Sequence, residues 1–141
     1  MKADNFMLDA EWWTLDDVFN RLSNFQTGEF ISDMDPDVID RVEKCHSYLA
    51  SRIAAKGDTI YGVNTGFGAL AHTKIAPNKL SELQDNILIS HACGVGDPVP
   101  DVIVRAMLLL KAKSLSQGHS AVKPETILRL LDMLENDVTP V

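Results

Sequence analysis

The chain has 141 residues, a formal net charge of −7, 45% hydrophobic residues and 23% charged residues, which is typical of one globular domain. Phosphate binding needs clustered Lys and Arg, so the acidic balance argues against nucleic acid and anionic membranes as partners. The longest apolar run, Ala106 to Leu110, is too short to cross a bilayer, and no signal peptide is visible. We therefore expect a cytoplasmic protein with no membrane partner.

Residues 1–13 form a tail for which the pattern predicts no element. Thr14 begins the first helix, because it can cap the free amides of the first turn and Asp16 and Asp17 suit the positive helix N-terminus. The apolar face of that helix is predicted from helical spacing and consists of Leu15, Val18, Phe19 and Leu22. A short extended piece is predicted at Glu29-Phe30-Ile31.

The second helix is predicted from Asp35, its cap, and Pro36, whose missing amide hydrogen costs nothing at the first helical position. It ends at Gly57, after the basic Lys56. The third helix begins near Pro77, and its periodic positions are Leu80, Leu83, Gln84, Ile87, Leu88 and His91.

Proline again marks the start of the last two helices. The fourth runs from Pro100 and Asp101 to Gly118, and it is apolar over most of its circumference, which predicts a central position among other helices. The fifth starts at Pro124 and ends by Asn136. The pattern as a whole predicts a mainly α fold in one segment, 1–141, with a short β-hairpin or extended pieces at most.

A glycine-rich loop, 61–76, opens with the sequence "YGVNTGFG". Its glycines favour turns or a close approach of the backbone to a ligand. The pattern is neither the P-loop, which needs a following Gly-Lys-Ser/Thr, nor the dinucleotide fingerprint. Composition alone favours a plain loop and a functional loop about equally.

Tyr61 and His91 are the candidates for chemistry. A phenol has an ordinary pKa of about 10, so a tyrosine acting as a base at neutral pH needs a cationic or hydrogen-bonding setting. A packed tyrosine with a bonded hydroxyl is the commoner case. His91 shares a helical face with Leu83 and Ile87, which favours a core histidine, although nearby Ser90 and two following glycines allow a site.

The remaining histidines and the two cysteines give no sign of a metal site. His46, His72 and His119 are scattered, and Cys45 and Cys93 belong to no motif with metal-ligand spacing. Both cysteines lie among apolar neighbours, so we expect small buried side chains. The residues alone thus indicate a helical domain with one unusual loop and one notable histidine.

Four segments together resemble the aromatic amino acid ammonia-lyases and related aminomutases. They are "YGVNTGFGALA", "LQDNILISHACGVGDPVP", "VRAMLLLKAKSLSQGHSAVKPE" and "LLDMLENDVTPV". The resemblance extends from about Thr14 to the last residue, in the family's order and spacing. It implies the N-terminal part of the family's helical fold, with histidine ammonia-lyase as the most similar member.

The resemblance also implies roles for the site residues. Tyr61 would be the base that removes the β-proton of the substrate, on a mobile active-site loop. Ser90-His91 matches the histidine ammonia-lyase pattern at the position that selects the substrate, so both residues would bind it. Some tyrosine ammonia-lyases also carry Ser-His there. The other residues of the active-site loop are Gly62, Asn64, Thr65, Gly66, Phe67 and Gly68.

One feature of the family is missing from these 141 residues. The family's electrophilic cofactor, methylidene-imidazolone, forms from an internal Ala-Ser-Gly, and no such triplet occurs here. We therefore expect a fragment that lacks lyase activity alone and self-associates through the apolar fourth helix. The intact family enzyme would be a homotetramer acting on a small amino acid.

Three functions remain open on the sequence. The first is deamination of L-histidine to trans-urocanate and ammonia. The second is tyrosine, or less favoured phenylalanine, ammonia-lyase or aminomutase chemistry in the same family. The third is a non-catalytic helical interaction module that keeps the family's N-terminal fold.

Overall fold

The computed structural model describes residues 4–9, 11–25, 30–55 and 59–140. In chain order the elements are β1 Asp4–Leu8, α1 Leu15–Phe25, β2 Phe30–Met34, α2 Pro36–Ala54, α3 Leu80–His91, α4 Asp101–Leu115 and α5 Pro124–Glu135. The predicted mainly α fold is confirmed. The residues cluster into two compact units, a first unit of Met1–Leu49 with Pro98–Val141 and a second unit of Ala50–Asp97.

The two strands pair in parallel, in a register that runs from Asp4 opposite Phe30 to Leu8 opposite Met34. They do not form a hairpin, because α1 stands between them and a parallel pair needs such a crossover. Strand β1 lies within residues 1–13, for which the sequence predicted no element. Its Phe6 and Leu8 are buried and Met7 between them is exposed, as expected for a half-buried strand.

The predicted start of α1 at Thr14 is confirmed by a reciprocal cap. The Asp17 amide donates to Thr14 Oγ1 at 3.2 Å, and the Thr14 amide donates to Asp17 Oδ2 at 2.7 Å. The predicted apolar face is half right: Leu22 is buried and Val18 packs against the core, whereas Leu15 and Phe19 are exposed.

Helix α2 begins at the predicted place, where the Asp37 amide donates to Asp35 Oδ1 at 2.8 Å. Its predicted end at Lys56 and Gly57 lies outside the described residues, as does Glu29 of the predicted extended piece. Cys45 on this helix is half-buried.

One core fills the first unit and is built by α4 and α5 against the sheet. Its buried apolar side chains are Phe6, Leu8, Leu22, Met34, Val38, Val42, Leu108, Leu109, Ala112, Leu115, Ile127, Leu131 and Leu134. The expectation that other helices surround α4 holds for one side only, since Val102, Ile103, Met107 and Leu110 are exposed in this chain. In the described part of the chain no helix is long and apolar enough to span a bilayer.

In the second unit, α3 follows a short 3-10 turn, Pro77–Lys79, that begins at the predicted proline. No side chain of α3 is fully buried in this chain. Cys93, just beyond α3, is exposed, so the expectation that it is buried is wrong. The physical reason is that all of residues 91–100 are exposed and offer it nothing to pack against.

Candidate active site

Backbone hydrogen bonds join the two ends of the glycine-rich loop. The Ile75 amide donates to the Asn64 carbonyl at 2.9 Å, and the Gly66 amide donates to the Thr73 carbonyl at 3.0 Å. Thr65 and Lys74 form an isolated antiparallel bridge between these two bonds. The backbone therefore holds residues 66–73 as a closed loop with a defined base.

The two polar side chains at the base of the loop are turned to its own backbone. Asn64 Oδ1 accepts from the Ile60 amide at 2.7 Å. Thr65 is only 1% exposed, and its hydroxyl donates to the Gly66 carbonyl at 2.9 Å and accepts from the Gly62 amide at 3.3 Å. Both side chains thus fix the shape of the loop.

Glycine is required at two positions of this loop for different reasons. Gly62 has φ +75, a left-handed conformation that side chains disfavour. At Gly66 a Cβ atom would lie 2.6 Å from Leu70 Cβ and 2.9 Å from the Leu70 carbonyl oxygen. Leu70 ends the 3-10 turn Gly68–Leu70, so the turn packs directly on the Gly66 backbone.

Tyr61 lies at the open side of the loop, with its side chain 64% exposed. Its ring meets Phe67 edge to face, with centroids 6.1 Å apart and planes at 67°. A depression of about 380 Å³ opens beside it and is lined by Thr59, Tyr61, Thr65, Ala71 and His72. The phenol ring therefore packs on Phe67 on one side and faces an open depression on the other.

Ser90 and His91 form a small hydrogen-bonded unit at the end of α3. His91 Nδ1 lies 2.9 Å from the Ile87 carbonyl and 3.0 Å from Ser90 Oγ. A carbonyl only accepts, so Nδ1 carries a proton, and in the uncharged tautomer of this ring Nε2 is then an acceptor. Ser90 Oγ also donates to the Ile87 carbonyl at 3.0 Å, so it helps to hold the ring.

His91 is exposed, whereas Leu83 and Ile87 on the same helix are half-buried. The expectation of a core histidine is therefore wrong in this chain, because the last turn of α3 lies at the surface. Of the predicted site residues, Tyr61 and Thr65 line the depression, whereas Ser90 and His91 do not.

The sequence alone does not single out His72, which is one of several scattered histidines. No sequence signal indicates it; the backbone pairing of Thr65 with Lys74 turns the chain back toward Tyr61 and brings His72 to the depression. Among the described residues, no three His, Cys, Asp or Glu side chains gather in a group that could hold a metal ion.

Comparison with known proteins gives consistent matches. The family model described as "Aromatic amino acid lyase" matches residues 14–141. The chain is 39% identical over all 141 residues to a histidine ammonia-lyase from Myxococcus xanthus, of which it covers 27%. It is 52% identical over 90 residues, 64% of this chain, to a histidine ammonia-lyase from Paracidovorax citrulli, of which that match covers 18%.

Solved structures show the same architecture. The tyrosine aminomutase from Streptomyces globisporus aligns with a TM-score of 0.82 and 30% identity, covering 96% of this chain and 25% of its own. The histidine ammonia-lyase from Trypanosoma cruzi aligns with a TM-score of 0.76 and 28% identity, covering 93% of this chain and 24% of its own. The chain thus spans about a quarter of the length of these proteins.

Proposed function

The chain belongs to the aromatic amino acid lyase family, and from that premise we propose that it is the N-terminal portion of a histidine ammonia-lyase. The intact enzyme converts L-histidine to trans-urocanate and ammonia as a carbon–nitrogen lyase. The observation that carries the proposal is the Ser90–His91 unit, whose Nδ1 is engaged and whose Nε2 is left as an acceptor. That acceptor suits the N–H of a substrate imidazole. The relative from Myxococcus xanthus supports the same assignment.

Tyr61 is the proposed catalytic base. Its edge-to-face contact with Phe67 fixes the ring while most of the side chain stays open. The hydrogen bonds of the Asn64 and Thr65 side chains hold the closed end of the loop, so the loop can present the phenol to the β-carbon without losing its own fold.

In the intact enzyme the family's methylidene-imidazolone would form outside these 141 residues, which contain no Ala-Ser-Gly triplet. The group cannot form from this chain, and the chain alone is expected to have no lyase activity. Its part in the reaction is to supply the base and the substrate contact.

A second candidate substrate is tyrosine. The structural match to a tyrosine aminomutase favours it, and the same Nε2 acceptor of His91 suits a phenolic O–H. The relatives in sequence, four histidine ammonia-lyases among them, favour histidine. Tyrosine therefore stands second.

The intact enzyme is proposed to be a cytoplasmic homo-oligomer, a tetramer as the family resemblance implies. In support, α4 exposes Val102, Ile103, Met107 and Leu110, an apolar stripe that favours association. The chain alone is expected to self-associate through this stripe. Light scattering that gives a monomer at high concentration contradicts the expectation.

The experiment is a chimaera in which this chain replaces the corresponding segment of the Myxococcus xanthus relative. The alignment covers all 141 residues, so the junction is defined. Ultraviolet assays then measure urocanate from histidine and coumarate from tyrosine. Urocanate formation that Tyr61→Phe lowers by a factor of about 100 or more supports the proposal, with Tyr48→Phe as the control.

Three other outcomes are informative. Coumarate formation favours the tyrosine alternative. A chimaera that is folded by circular dichroism yet forms neither product contradicts the proposal. Full activity of the Tyr61→Phe chimaera removes Tyr61 from the role of base.

A further inference from the structure

Tyr61 shares its depression with a second titratable side chain, His72. The other residues that line it, Thr59, Thr65 and Ala71, do not titrate near neutral pH. Lys74 lies two residues beyond His72 and is exposed at the bridge with Thr65. A phenol that must act as a base therefore has an imidazole on the wall of the same depression.

Three backbone hydrogen bonds position the segment that carries His72 beside the depression. The Ala71 amide donates to the Gly68 carbonyl at 3.1 Å, which completes the 3-10 turn just before His72. The Thr73 amide donates to the Leu70 carbonyl at 2.9 Å, and the Thr73 carbonyl accepts from Gly66. Hydrogen bonds of the residues on both sides of His72 therefore fix the place of its backbone, and its side chain is exposed.

We infer that His72 is a positioning residue that acts through Tyr61, by accepting the hydroxyl proton of the phenol during catalysis. The inference rests on the proposed function, since it assigns a role in the same reaction. A phenol that takes a proton from carbon needs an acceptor for its own hydroxyl proton, and histidine is the side chain that most often transfers protons in general acid–base catalysis.

The step balances as a proton transfer. The β-carbon C–H bond breaks and its proton goes to the Tyr61 oxygen as the Tyr61 hydroxyl proton goes to His72. The C–H electron pair becomes the new double bond, and the substrate's ammonium group leaves as neutral ammonia with the C–N electron pair. His72 ends as an imidazolium, which returns its proton to solvent.

The first test uses the 141-residue chain and needs no activity. Long-range proton–nitrogen NMR spectra follow the ring of His72, identified by its loss in His72→Gln, as the pH is raised from 5 to 9. Tyr61→Phe is expected to shift the ring signals of His72, and Tyr48→Phe, a tyrosine on α2, is expected to leave them in place. Superimposable His72 signals in Tyr61→Phe and the unsubstituted chain overturn the inference.

The second test uses the chimaera described above. His72→Gln is expected to lower kcat about tenfold or more with KM unchanged, and to remove the fall in rate at acid pH that protonation of the imidazole causes. His119→Gln, at an exposed histidine between α4 and α5, is the control. If His72→Gln keeps the unsubstituted rate and pH profile while Tyr61→Phe abolishes activity, this inference fails and the proposed function stands.

Discussion

Lys113 and Asp9 are joined twice, because the Lys113 ammonium lies 2.8 Å from the backbone oxygen of Asp9 and 2.8 Å from its Oδ1. Trp13 Nε1 donates to the same Oδ1 at 3.1 Å, and Arg21 lies 3.6 Å from Oδ2. Lys113 and Arg21 each lie 4.3 Å from the centre of a Trp13 ring. Asp9 therefore links the segment after β1 to α1 and α4.

The Asp9 carboxylate is expected to make stability depend on acid pH. Burial by itself raises the pKa of Asp9, but hydrogen bonds from Lys113 and Trp13 and the charges of Lys113 and Arg21 outweigh it, so the pKa is lowered. Because the folded-state pKa lies below the unfolded one, this stability is present above about pH 4 and is lost as pH falls through the folded-state pKa.

Asp9→Asn is accordingly expected to lower the free energy of unfolding at pH 7 by about 1 kcal/mol and to flatten its decline below pH 4. Urea unfolding at several pH values measures both effects. Glu43→Gln, at an exposed carboxylate on α2, is the matched control. An unchanged pH dependence in Asp9→Asn contradicts the assignment.

Replacing Ala121 by glycine is expected to stabilise the folded protein. Its φ of 52 is left-handed, which costs an L-residue about 1–2 kcal/mol, more than the 0.5–1 kcal/mol of backbone entropy that a glycine adds. Ala121→Gly should raise the free energy of unfolding by about 0.5 kcal/mol. Ala50→Gly, at an exposed position inside α2, should lower it by about 1 kcal/mol. Equal destabilisation by both changes would exclude strain at Ala121.

Gly118 is expected to tolerate no side chain. It has φ +73, and a Cβ atom there would lie 2.6 Å from Arg41 Cγ and 3.2 Å from the Arg41 carbonyl oxygen. Gly118→Ala should lower the free energy of unfolding by about 3 kcal/mol, from strain and collision together. Gly96→Ala has a positive φ and open space around its Cβ, so it measures strain alone. Similar losses at both glycines would mean that the Arg41 contact is unimportant.

Gly66→Ala is expected to weaken the backbone hydrogen bonds that join the two ends of the active-site loop. The added methyl would meet Leu70, so the bonds that close the loop should weaken by about 1–3 kcal/mol. Amide hydrogen exchange at Ile75, whose amide bonds to Asn64, reports this directly and should accelerate about tenfold or more. Gly94→Ala, where a Cβ meets open space, should leave exchange at Ile75 unchanged.

Local signals predicted the helix starts and the loop, whereas contacts distant in sequence decided the rest. Thr14, Asp35 and Pro124 each act within one turn of their own helix, so their roles are visible in a few letters of sequence. No local signal indicates strand β1, because its partner β2 lies beyond α1. Spacing suggests nothing about Asp9 and Lys113, which only the packed first unit brings together.

The candidate site likewise contains residues that local sequence indicates and residues that depend on distant contacts. The three glycines marked the loop, and Tyr61 followed from its position at the start of it. His72 depends on the return of the chain along Thr65 and Lys74, a pairing that no pattern in the loop predicts. The helical period of α3 favours a core position for His91, but it cannot show that the last turn of α3 is exposed.

Glu135, at the end of α5, accepts hydrogen bonds from the amide and hydroxyl of Ser32 on β2. The last helix therefore covers a backbone donor of a strand made early in translation. In a nascent or proteolysed chain without α5, the Ser32 amide has lost this acceptor. An unpaired strand edge can then pair with strands of other molecules. Ribosome stalling or cleavage ahead of Pro124 should accordingly yield insoluble material rather than a smaller folded product.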